Sequence, residues 1–253
     1  MYSTQGYSFP HEAFSSLKAQ QCFEKYIQLE QKLDIDPLSF SFKTHTALPW
    51  VREICMTPKI LDRVGDILGE DILCWSSSFF TKKPESGKFV SMHEDSLYFQ
   101  PTEPDNVVTV WLAINPTRQE TGCMEYVPGS HKNDYMHKHL QDKNNLLPKG
   151  QTVQGDFQTV PVELAPGEFS MHHIKLLHQS GKNTTKRYRI GLVLRYCKPS
   201  CRIQMFSEPS AITVRGTNTN TEYWQEDYIP KQDLDIAGLE YIKYTVSKDF
   251  TNE

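Results

Sequence analysis

Three side chains, split between two stretches of the sequence, have the types and spacing to hold one metal ion. His93 and Asp95 flank Glu94 near the middle of the chain, and His178 follows much later. On a β-strand, residues i and i+2 point to the same face, so His93 and Asp95 can reach a common ion. Two imidazoles and one carboxylate on one face of a ferrous ion leave three coordination positions open. Two of these can hold a 2-oxo acid and the third dioxygen, which makes oxidation the chemistry such a set would support.

A cluster of arginines follows His178. The run Leu176-Leu177-His178-Gln179-Ser180-Gly181-Lys182-Asn183 ends a strand and enters a turn, and the next strand begins near Arg187. A hairpin centred between Asn183 and Thr184 sets Arg189 opposite His178, and opposed residues share a face. A guanidinium there can grip the far carboxylate of 2-oxoglutarate through paired hydrogen bonds, which a lysine does less well. Arg187 and Arg195 share the strand parity of Arg189 and compete for the task; opposition to His178 favours Arg189. His172 has the parity of His178 but lies roughly 20 Å back along an extended strand, outside the same site. His172 or His173 either faces substrate, supports the ligands or packs. His131, His137 and His139 fall in a polar stretch, where a solvated loop is expected.

The elements that must position these residues follow from periodicity. From His11 to Lys32, Phe14, Leu17, Cys22, Phe23, Ile27, Leu29 and Leu33 fall near helical spacing, with Pro10 placed for a first turn. Thr57-Pro58 opens a second helix with Ile60, Leu61, Val64, Ile67 and Leu68 on one stripe and Gly69 as its stop. After Gly69 the period shortens. Stretches 72–81, 89–95, 107–114, 124–127, 158–164, 169–177 and 187–196 read as short strands between turn residues, which implies a sandwich or barrel. One domain over 1–253 is expected: a helical part over 1–69, a β core over 70–200 with a surface insertion at 131–151, and a C-terminal wrap or lid over 201–253.

Composition narrows the class. The net charge of -4 supplies no basic surplus for nucleic acid. No apolar run reaches the roughly 20 residues a membrane span needs, and the N-terminus has no signal-peptide pattern. Cysteines 22, 55, 74, 123, 197 and 201 form no CxxC pair, which fits reduced thiols and a cytoplasmic protein. The oligomeric state is not legible.

Several runs together resemble the phytanoyl-CoA dioxygenase family of iron(II)/2-oxoglutarate oxygenases, near a branch that also contains radical halogenases. They are Gly6-Tyr7-Ser8-Phe9-Pro10, Pro58-Lys59-Ile60-Leu61-Asp62, Leu68-Gly69-Glu70-Asp71-Ile72-Leu73, Met92-His93-Glu94-Asp95, Val108-Thr109-Val110-Trp111-Leu112-Ala113, Gly122-Cys123-Met124-Glu125-Tyr126-Val127-Pro128-Gly129-Ser130-His131, Pro166-Gly167-Glu168-Phe169-Ser170 and His178-Gln179-Ser180-Gly181-Lys182-Asn183, with residues 189–196. The resemblance implies a double-stranded β-helix, the cupin-like jelly roll, mainly β with helices on an outer face. It implies Fe(II), 2-oxoglutarate and O2 as cofactor and co-substrates. His93, Asp95 and His178 would be the iron ligands, Arg189 the 2-oxoglutarate anchor, and Thr109 and Trp111 part of the co-substrate pocket. A halogenase replaces the ligand carboxylate by a small residue, so Asp95 favours oxygenation.

The expected reaction takes hydrogen from an unactivated C–H bond of a small molecule, giving hydroxylation, desaturation or ring closure with succinate and CO2. Met92, Tyr98, Phe99, His173 and Arg215 are candidate substrate contacts, and their mixture of aromatic and cationic groups suits an amino-acid-like or other polar acid. The alternatives are another cupin-type dioxygenase, which has no need of Arg189, and a non-catalytic jelly-roll binding module.

Overall fold

A computed structural model describes residues 2–33, 42–147 and 150–250. Those parts of the expected helical region, insertion and C-terminal wrap that fall on Met1, 34–41, 148–149 and 251–253 lie outside the described residues. In chain order the elements are α1 (Tyr2–Gln5), β1 (Tyr7–Glu12), α2 (Ser16–Leu33), α3 (Pro49–Cys55), α4 (Pro58–Leu68), β2 (Ile72–Lys82), β3 (Val90–His93), α5 (Ser96–Phe99), β4 (Val107–Ala113), β5 (Met124–Tyr126), β6 (His137–His139), β7 (Gln151–Val153), β8 (Val160–Val162), β9 (Glu168–His173), β10 (His178–Ser180), β11 (Arg189–Cys197), β12 (Ser210–Arg215), β13 (Gln225–Glu226) and α6 (Ile236–Phe250). A seven-stranded sheet runs β1-β9-β4-β11-β2-β12-β13, a four-stranded sheet runs β3-β10-β5-β8, and β6 pairs with β7. This is the mainly β jelly roll with flanking helices that the sequence leads one to expect. Among the described residues no helix is long and apolar enough to cross a membrane.

Contacts divide the chain into two compact units, one of Met1–Lys32, Thr81–Asp95 and Trp111–Gly191, the other of Leu33–Phe80, Ser96–Val110 and Leu192–Glu253. In the first, the start of the expected helix is displaced. Residues from Tyr7 form β1, antiparallel to β9 with Tyr7 opposite His172. The helix waits for Ser15, whose hydroxyl accepts from Lys18 N (3.4 Å) and whose carbonyl accepts from Ala19 N (3.1 Å). Its buried stripe is Ala19, Cys22, Tyr26 and Leu29, while Leu17 is 70% exposed. The insertion is not a plain solvated loop. Leu146 N donates to Phe89 O (2.8 Å), Asn145 Nδ2 donates to Ser91 Oγ (2.9 Å), and the β6–β7 hairpin carries His137 to within 3.3 Å of Glu94 Oε1. His131 stacks near His173 with ring centroids 5.2 Å apart; of the three insertion histidines, His139 is exposed.

In the second unit α4 follows the expected pattern, with Thr57 and Pro58 at its start and Ile60, Leu61, Val64 and Leu68 buried. The C-terminal helix α6 was legible only as the apolar stretch 234–244. It comes so close to the turn at Thr46 that a Cβ on Gly238 would lie 2.0 Å from Thr46 O. A buried polar network sits here. Asp227 accepts from Lys43 Nζ (2.8 Å) and His45 Nε2 (2.9 Å), His45 Nδ1 meets Ser77 Oγ (2.7 Å), and Tyr241 OH donates to Asp227 (3.0 Å). Ser77, His45 and Asp227 stand in the order of a hydrolytic triad, and all three are buried within this packed network. Burial alone would raise Asp227; Lys43 and His45 outweigh it and hold the carboxyl well below its usual range. His45 is lowered, chiefly by burial, so Lys43 is the counter-charge.

Lys43→Met leaves Asp227 as a buried charge without its cation, and a loss of roughly 3–5 kcal/mol is expected in denaturant unfolding at neutral pH. The folded pKa of Asp227 lies below its unfolded value of about 3.9, so the parent's advantage is present above that range and disappears as the pH falls. A variant equal in stability to the parent at pH 7 would contradict this role.

Candidate metal centre

The ligand candidates meet on two neighbouring strands. β10 pairs antiparallel with β3, and His178 is the register partner of His93. Their rings lie 4.1 Å apart. β3 ends at His93, so Asp95 arrives from the segment just beyond the strand rather than from the strand itself, with Oδ1 3.6 Å from His93 Nε2. One donor atom from each of His93, Asp95 and His178 lies within 4.8 Å of the others, and all three residues are buried.

The tautomers are fixed by the backbone. His178 Nδ1 lies 2.9 Å from Leu176 O, and His93 Nδ1 lies 2.9 Å from Ser91 O and 3.1 Å from His178 O. A carbonyl only accepts, so each Nδ1 carries a hydrogen, and in the neutral ring each Nε2 then presents a lone pair. That is how a metal-binding histidine is oriented. With one carboxylate and two such imidazoles, the donor set fits a ferrous ion. Glu94, between them in sequence, points elsewhere and meets His137.

Arg189 is buried, with its guanidinium 5.4 Å from the Trp111 ring and Nη2 3.4 Å from Ser180 Oγ. Burial lowers its pKa to about 10. It does not get there through the expected hairpin. β10 pairs with β3 and β5, whereas β11 lies between β4 and β2 in the seven-stranded sheet. Residues 181–188 cross between sheets, pinned by Asn183 Nδ2, which donates to Lys83 O (3.0 Å) and Arg187 O (2.6 Å). Arg187 is exposed beside Glu120 at 3.9 Å, and Arg195 lies in the other unit with its guanidinium 4.7 Å from the Phe99 ring.

His172 is also misplaced by the sequence reading. The extended-strand distance does not apply, because Leu176 N bonds back to His173 O (2.9 Å) in a turn between β9 and β10. The His172 ring therefore lies 4.9 Å from that of His178. Its Nδ1 is 3.0 Å from Tyr126 OH, which also meets Ser170 Oγ at 2.8 Å. Tyr126, Ser170, Ser180 and Lys82, whose amine is 2.7 Å from Ser180 Oγ, were not singled out from the sequence. Ser180, two residues beyond His178 on one strand, was the one with a readable signal.

The expected substrate contacts fare differently. Met92 packs in a buried cluster with Val127, Val153 and Leu177. His173 faces His131, opposite in strand parity to His172. Arg215 belongs to the other unit, donating to Leu61 O (3.1 Å) and Asp62 Oδ1 (2.6 Å). Phe99 and half-buried Tyr98 belong to that unit too, where Phe99 packs on Trp75 at 4.9 Å. Thr109 is buried in β4, and Trp111 follows it at the same parity.

The family model for phytanoyl-CoA dioxygenase (PhyH) matches residues 23–191. A probable phytanoyl-CoA dioxygenase of Caenorhabditis elegans is 28% identical over 81% of this chain and 66% of its own length. A probable alpha-ketoglutarate-dependent hypophosphite dioxygenase of Stutzerimonas stutzeri is 28% identical over 60% of this chain and 54% of its own. The chain thus spans less than two thirds of either relative. Among solved structures, apo ThoJ, a non-heme monooxygenase, superposes with a TM-score of 0.84 at 28% identity, covering 99% of this chain and 95% of that one.

Two outcomes are expected. Anaerobic dialysis against iron(II) loads the parent protein, and His178→Ala or Asp95→Ala weakens uptake beyond the roughly 10- to 100-fold that losing a hydrogen bond behind a ligand costs; undiminished uptake would remove that residue from the set. A Cβ on Gly191 would lie 2.0 Å from Trp111 Cζ2, so Gly191→Ala is expected to lower stability by about 1–3 kcal/mol in thermal or denaturant unfolding, and no loss would show that the ring can retreat.

Proposed function

The chain belongs to the phytanoyl-CoA dioxygenase family, and from that membership we propose that it is an iron(II)- and 2-oxoglutarate-dependent oxygenase of a small molecule. The observation that carries the reading is the pair of carbonyl-locked imidazoles beside a buried carboxylate, with a buried arginine and serine in the same unit. His93, Asp95 and His178 would hold the ion. Arg189 and Ser180 take the far carboxylate of 2-oxoglutarate, and Trp111 forms the wall against which the guanidinium lies. Iron with 2-oxoglutarate and dioxygen supplies an oxidant that takes a hydrogen atom from an unactivated C–H bond, leaving succinate and CO2.

The protein's own contribution is placement and dryness. The ligands and Arg189 are buried, which strengthens each charge interaction and keeps bulk water from the reaction. With iron bound, Asp95 would fill a position that a halide would need, which favours oxygenation over halogenation; desaturation or ring closure stay open. The side chains beside the ligands, His172 with Tyr126 and Ser170, are polar. They fit a substrate that presents hydrogen-bonding groups and take over the task expected of Met92 and His173. Residues 1–253 act in this reading as one oxygenase domain.

Iron(II) and 2-oxoglutarate added without oxygen are expected to give a weak visible charge-transfer band. Arg189→Ala should need roughly tenfold more 2-oxoglutarate or above, the scale of a lost hydrogen bond to a charged group. Absence of the band at saturation would turn the reading to a cupin-type enzyme or binding module that does not use the oxo acid.

A further inference from the structure

Lys82 closes β2 with its side chain buried, whereas Lys83 next to it is 49% exposed and paired with Glu30. The Lys82 amine lies 2.7 Å from Ser180 Oγ and 3.4 Å from Gly122 O, and also contacts Gly181 O. All three acceptors are neutral. Arg189 Nη2 approaches the same hydroxyl at 3.4 Å. A hydroxyl offers two lone pairs and one proton. With both lone pairs of Ser180 facing N–H donors, its own proton is left to point at a further acceptor. Among neutral acceptors and beside Arg189, the protonated form of the buried Lys82 amine is disfavoured until an anion joins it. Burial, and next Arg189, lower the pKa of Lys82 to about 5, with Cys123 and Glu125 opposing only in part.

We propose that Lys82 is a positioning residue for the co-substrate: it shares the far carboxylate's charge with Arg189 and, by occupying a lone pair of Ser180, turns that hydroxyl proton onto the carboxylate. The proposal rests on the co-substrate reading above and adds a selectivity to it. A 2-oxo acid with a second carboxylate gains from Lys82, and one without it does not.

The test titrates 2-oxoglutarate and 2-oxobutyrate into the anaerobic iron(II) protein, following the visible band, for the parent and Lys82→Met. The variant is expected to bind 2-oxoglutarate about tenfold more weakly or worse while its affinity for 2-oxobutyrate is unchanged. Equal losses for both acids, or none, overturn the proposal. Since removing a buried cation can unfold a chain, the parent supplies a second measurement. A bound carboxylate favours protonated Lys82, so 2-oxoglutarate affinity should fall as the pH rises above about 5, by up to roughly tenfold per unit, and 2-oxobutyrate affinity should not share that slope. Parallel profiles for the two acids overturn it. A parent protein that shows no band with either acid fails at the co-substrate reading itself, before Lys82 is tested.

Discussion

A backbone carbonyl can accept a hydrogen bond and cannot donate one, and the candidate centre depends on that asymmetry. Leu176 O behind His178, and Ser91 O and His178 O behind His93, leave each Nδ1 no role but donor. Each Nε2 is then a lone pair held in a fixed direction. The carbonyls are where they are because β10 lies beside β3 with His178 against His93. That pairing is flanked by β5, whose Tyr126 stands opposite His178 and reaches His172 with its hydroxyl. Metal-ligand geometry, strand register and the polar neighbours of the site are therefore one set of constraints.

The other end of the site runs on charge. Arg189 is buried over Trp111, and Gly191 leaves room for that ring. Lys82 meets the same serine. Elsewhere the chain neutralises its buried charges internally, as Lys43 does for Asp227. Around Ser180, the Lys82 amine donates to a hydroxyl and two carbonyls, all neutral.

Much of the fold was legible because short β-rich runs between turn residues announce strands, and seven expected stretches match β2, β3, β4, β5, β8, β9 and β11. β10 was merged with the strand before it, because Ile174-Lys175-Leu176-Leu177 carries no turn residue to mark the break. The His93, Asp95 and His178 set was legible from residue type and spacing, since few other pairings of imidazole and carboxylate in the chain share strand parity. Arg189 was reached through a hairpin that does not exist, since residues 181–188 cross between sheets. His172 was lost for the complementary reason, since straight-strand arithmetic ignores the turn at 174–177. Lys82 and Lys83 are adjacent and chemically identical, and only packing decides which is buried. Met92 and His173 were chosen by adjacency to the motif, which on a strand selects the wrong face.

X-ray absorption at the iron edge of the anaerobic protein with 2-oxoglutarate tests the central claim most directly. The account predicts two imidazole scatterers with the remaining positions filled by oxygen, falling to one imidazole in His178→Ala. A sphere containing thiolate, or one whose imidazole count does not change in that variant, would contradict it.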